Sequence, residues 1–66
     1  MIPNDQPARK QMIERMIKHV IRTSEESEGT YTAWEIEFIE SIDGQFLHKG
    51  DLSNKQCEVL ERIYDK

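Results

Sequence analysis

Sixty-six residues hold one cysteine, two prolines, three glycines and five aromatic rings, and no long apolar run. A single cysteine excludes an internal disulfide and a cysteine-built zinc site. No stretch approaches the roughly 20 apolar residues of a membrane-spanning helix, and no signal-peptide pattern opens the chain. The few glycines form no phosphate-cradling loop. One small domain in a reducing cytoplasm is expected, with marginal stability because so short a chain buries little of its surface.

Charge is plentiful but unevenly placed. The formal net charge is −4. Residues 1–22 carry Arg9, Lys10, Arg15, Lys18 and Arg22 against Asp5 and Glu14, a net +3. Residues 23–66 carry four bases against eleven acids, a net −7. A split of this kind marks either a contact with a polyanion or a helix that docks electrostatically on the rest of its own domain.

The apolar periodicity predicts an all-α, three-helix domain. Residues 1–6 read as a loose arm. Pro7 suits a first helical turn, and a basic helix follows over 7–22. Its ladders Ala8–Met12–Met16–Val20 and Ile13–Ile17–Ile21 lie side by side and cover about half the circumference. That arc is wider than a small bundle needs, so one ladder is expected to meet a partner, such as a second copy in a homodimer. Residues 23–31 form an acidic linker that lets helix 1 swing. The glutamates at its start oppose the helix dipole and should end the helix.

A helical hairpin over 32–65 completes the domain. Thr32-Ala33-Trp34-Glu35 is a capping box, with Tyr31 and Ile36 placed as a hydrophobic staple. Ser53-Asn54-Lys55-Gln56 repeats it, with Leu52 and Cys57 as the second staple. The second helix, near 32–48, closes at His48-Lys49-Gly50-Asp51, where Gly50 suits a left-handed stop. Gly44 inside it marks a close helix approach or local fraying. The third helix lies near 53–65. The short connection implies an antiparallel pair around Trp34, Phe38, Ile42, Phe46, Leu60 and Ile63.

Catalytic chemistry has little to stand on. His19 and His48 are far apart, Cys57 is explained as staple packing, and the carboxylates sit on helix surfaces. No catalytic residue, metal site or cofactor is expected. Direct nucleic-acid binding would use Arg9, Lys10, Arg15, Lys18 and Arg22, but no aromatic residue is interleaved with these bases for stacking. A protein-interaction module fits the marginal core better.

The segments Trp34-Glu35-x-x-Phe38-Ile39-x-x-Ile42 and Gly50-x-Leu52-Ser53-x-Lys55-Gln56-x-x-x-Leu60-x-x-Ile63-Tyr64-x-Lys66 carry a resemblance. Residues 32–66 resemble a helical-hairpin module of small phage and bacterial proteins that accompany DNA-processing machinery, among them the small companion of the recombination helicase in T4-like phages. The resemblance implies a phage-encoded accessory factor that binds a larger protein of DNA recombination, repair or replication. Trp34, Lys55 with Gln56, and the terminal Ile63-Tyr64-x-Lys66 are the parts that packing does not demand. Lys55, Gln56 and Arg62 are the expected partner surface, where Lys55→Glu and Gln56→Ala should weaken partner capture without altering the melting temperature. Helix 1 stands outside the pattern.

Overall fold

The computed structural model describes residues 2–27 and 29–65; Met1 of the arm, Glu28 of the linker and the motif's final Lys66 lie outside them. The described residues form three helices and no strand: α1 (Gln6–Glu26), α2 (Ala33–Lys49) and α3 (Asn54–Tyr64).

α1 is longer than its charge pattern predicts. It runs through Glu25 and Glu26 rather than stopping at Arg22. Three local contacts offset the unfavourable dipole term, which is only about 0.3–1 kcal/mol per charge. The Ser24 hydroxyl donates to the Ile21 carbonyl at 2.8 Å. The Ser27 N–H closes on Thr23 at 2.9 Å. Glu26 stands 3.6 Å from Arg22 one turn back. At the other end Asp5 caps the helix by accepting from the Ala8 N–H at 3.4 Å, and Pro7 lies in the first turn.

The arm is tied rather than loose. The Ile2 N–H donates to Glu61 Oε1 at 3.2 Å, and the Ile2 side chain packs against the core. Nor does α1 swing. It touches α2 and α3 each more extensively than they touch one another. Ile13, Met16, Ile17 and Val20 are buried, and Met12 and Ile21 are half-buried at the flanks. The broad apolar arc is the width needed to face two helices at once. It therefore gives no reason for a second copy of the chain on α1.

Both capping boxes form as their residues dictate. Thr32 Oγ1 accepts from the Glu35 N–H at 3.2 Å while Glu35 Oε1 accepts from the Thr32 N–H at 2.8 Å. Ser53 and Gln56 repeat this at 3.2 and 2.9 Å. Tyr31, Leu52 and Cys57 are buried, with Ile36 half-buried, so the staple residues reach the core. Gly50 ends α2 with φ +79°, its N–H bonded to the Phe46 carbonyl at 2.7 Å. Gly44 sits in unbroken helix, and a Cβ there would meet nothing within 4 Å. It is neither a close-approach site nor a frayed turn.

The ridge that α2 buries is Ile39, Ile42 and Phe46, with the capping Glu35 at its start. Across from it lie Leu60, Ile63 and Cys57 of α3. Each fully buried isoleucine or leucine contributes roughly 1.5–3 kcal/mol. Trp34 is not part of this core. It is 60% exposed, and Phe38 is half-buried. The buried ridge is rotated away from the aromatic line, because α1 draws the Ile39 side of the helix inward.

Candidate functional site

The residues expected to contact partners have separate fates. Arg9 turns inward. Its Nε donates to Asp51 Oδ1 at 2.9 Å, and its Nη2 donates to the Leu52 carbonyl at 2.9 Å and to Cys57 Sγ at 3.3 Å. The side chain is 12% exposed. It is thus a clasp between α1 and the α2–α3 connection, not a free phosphate contact. The hydrogen bond from Arg9, joined by the Leu52 N–H, pulls the Asp51 carboxyl below its ordinary value. Asp51 stands three residues after His48, and its carboxylate is given to Arg9. Burial pushes the Cys57 thiol up, with Arg9 opposing in part. Cys57 is thus a packed thiol whose protonated form burial favours.

Of the other α1 bases, Lys10, Arg15, Lys18 and Arg22 remain exposed. Lys18 donates to Glu14 at 2.8 Å, a bond that lowers the Glu14 pKa and raises that of Lys18. His19 meets the Tyr64 ring edge-on, with centroids 5.0 Å apart. Lys10 and Lys18 border a groove floored by Phe46 and Leu47, but Glu14 and Asp43 share its rim. Its charge is balanced, even though Leu47 is 78% exposed.

Gln56 is spent inside the fold. Its amide exchanges two hydrogen bonds of 3.0 Å with Gln45 of α2, in addition to closing the capping box. Expecting it on a partner surface overlooked this pair, and its removal should not leave stability unchanged. Lys55 and Arg62 stay exposed. They share one edge of α3, four residues before and three after Val59.

The Gln45–Gln56 pair fixes which edges of α2 and α3 face each other. On α2 the stripe is Trp34, Phe38, Ser41 and Gln45; on α3 it is Gln56, Val59 and Ile63. It also fixes the levels of the antiparallel pair. Trp34 lies eleven residues, about 16 Å, from Gln45, whereas α3 continues only eight residues, about 12 Å, beyond Gln56. The Trp34 indole stacks on Phe38, with ring planes at 16° and centroids 5.4 Å apart, and is 60% exposed. Sequence reading placed Trp34 in the core by its i, i+4 relation to Phe38. The buried ridge instead runs on the Ile39 side of α2.

No protein-family model matches the chain, and neither a curated protein nor a solved structure matches it. The resemblance of residues 32–66 therefore stands on its own residues. Among the described residues, no group of three or more His, Cys, Asp or Glu side chains is placed to hold a metal ion, and no helix is long and apolar enough to cross a membrane.

Proposed function

We propose that the chain is a small non-enzymatic adaptor, phage-encoded and acting in the host cytoplasm, that docks a protein of DNA recombination, repair or replication. The observation that carries the docking role is the Trp34–Phe38 stack, with Trp34 60% exposed in the first turn of α2. A large aromatic ring left in water costs solvation and supplies little to the fold, and tryptophan is the commonest anchor of protein interfaces. Trp34 is also a residue of the resemblance motif that packing does not demand. The DNA-processing partner follows from that resemblance alone.

A photo-crosslinking amino acid at position 34 tests this in cells that make the protein. The expected product is a covalent adduct with a protein of nucleic-acid metabolism, competed away by the wild-type chain. Adducts spread over unrelated proteins, or none, would count against the adaptor reading.

A second reading is weak nucleic-acid binding by α1, favoured by the exposure of Lys10, Arg15, Lys18 and Arg22 on one helix. Affinity for DNA would then fall steeply with salt. Absence of binding at low salt removes it.

A further inference from the structure

We infer that the cleft between α1 and α2 receives a basic, amphipathic helical segment of another protein, with an apolar side chain on Leu47 and a lysine or arginine among Glu25, Glu40 and Asp43. This surface is separate from Trp34 and goes beyond the adaptor reading. Ile36 of the cleft is turned about 200° round α2 from Trp34.

The cleft follows from how the two helices lie. Glu25 of α1 and Ile36 of α2 line one depression, and Lys10 and Gly50 line the next, so the helices run antiparallel. The first depression has a volume of about 410 Å³. That lies within the roughly 300–1,000 Å³ of natural binding clefts. Ile21, Ile36 and Ile39 give it an apolar floor, and Glu25, Glu40 and Asp43 give it an acidic rim. Asp43 also borders the second depression, which holds Phe46 and the exposed Leu47. The trough therefore continues along α2 from Ile36 to Leu47, eleven residues or about 16 Å. That is about three helical turns, enough for a docked helix with anchors at i, i+4 and i+7.

Charge selects the occupant. No base lines the first depression. Among the described residues its three carboxylates have no ion-pair partner within 4.0 Å. Lys18 borders the Asp43 end, but its ammonium is bonded to Glu14 at 2.8 Å. Arg15 and Arg22 line a different depression, on the outer face of α1. Around Leu47 the charge is balanced, so the negative end of the trough is the Glu25 end. All three carboxylates come from residues 23–66, which carry a net −7. The end of α1 adds to them. It runs to Glu26 with no base in its last turn, so the negative pole of the helix lies beside Glu25. A docked cation offsets both the carboxylates and that pole. Lysine or arginine suits the cleft, with its aliphatic stem on the isoleucines and its charged head at the rim.

Amide chemical shifts of the isotope-labelled chain read the occupancy. The probes are three synthetic helical peptides with identical leucines, carrying Arg, Glu or Gln two turns from them, and spermidine. The expected result is movement of the Ile21, Ile36, Glu40 and Leu47 amides by the Arg peptide. Its binding should be roughly tenfold or more tighter than that of the Glu peptide and should weaken as salt rises. The variant Glu25→Gln/Glu40→Gln should lose the preference while keeping or raising the melting temperature. Equal response to the three peptides, none at millimolar concentration, or a preference that survives in the variant overturns the proposal. Spermidine binding as tightly as the Arg peptide overturns it in favour of a small ammonium ligand. Shifts that grow with protein concentration alone, with dimers by light scattering, overturn it in favour of a second copy. Failure here with a specific adduct from position 34 removes the basic segment and leaves the adaptor on Trp34. Success here with no such adduct supports the basic segment and removes the Trp34 face.

Discussion

Arg9 and Asp51 are 42 residues apart in the chain and joined by a 2.9 Å bond in the fold. The guanidinium fork also reaches the Leu52 carbonyl and Cys57 Sγ, so one side chain of α1 holds the whole α2–α3 connection. Its loss removes three hydrogen bonds at once, to Asp51, the Leu52 carbonyl and Cys57 Sγ. Arg9→Ala should cost about 1–3 kcal/mol. Arg9→Lys should recover less than half of that, since a single ammonium nitrogen cannot reproduce the separate Nε and Nη2 donors of the planar guanidinium. Thermal denaturation measures both, at roughly 4–8 °C per kcal/mol for a domain of this size.

Acid should loosen the same clasp. The folded Asp51 pKa lies below its unfolded value, chiefly through Arg9. The contribution is therefore complete above the unfolded carboxylate value, near pH 4, and is lost as pH falls through the lower folded value. Asp51 is 43% exposed, so the effect is about 1 kcal/mol or less. Urea midpoints between pH 2 and 6 should fall less steeply toward acid for Asp51→Asn than for wild type. Equal slopes would remove Asp51 from the acid response.

The amide pair between α2 and α3 can be separated from the cap by a double-mutant cycle. Gln45→Ala removes only the pair and should cost about 0.5–1 kcal/mol. Gln56→Ala removes the pair and the capping-box bond and should cost about 1–2 kcal/mol. A coupling energy near 0.5–1 kcal/mol is expected. Full additivity would mean that the pair adds nothing.

Trp34 and Ile39 stand on the same helix and should respond oppositely. Trp34→Ala should change stability by less than about 1 kcal/mol, the stack on Phe38 being its main internal contact. Ile39→Ala empties a site 1% exposed and should cost about 2–5 kcal/mol. Loss of the position-34 adduct surface without loss of fold is the signature of an interface residue. A large drop in melting temperature for Trp34→Ala would place the ring in the core after all.

The two glycines of α2 and its end also diverge. Gly44→Ala fills open space within a helix and should stabilise by about 1 kcal/mol. Gly50→Ala forces a Cβ into φ +79° and should destabilise by a similar amount. Chemical denaturation of the two variants tests the pair with one pair of curves.

The sequence by itself determined the three helices, both capping boxes, the Gly50 stop and the burial of Cys57, Leu60 and Ile63. Each of these depends on residues within one or two turns of one another, so spacing alone carries them. Only the tertiary structure decided the fates of Arg9, Gln56 and Trp34. Arg9 looks like any exposed base until Asp51 and Leu52 are brought to it. Gln56 looks like a surface residue until Gln45 arrives from the neighbouring helix. Trp34 has core spacing, yet its burial depends on which face of α2 its neighbours cover, and they cover Ile39, Ile42 and Phe46. These outcomes rest on how separate helices align in space, and a hydrophobic period within one helix is indifferent to the length and register of the next.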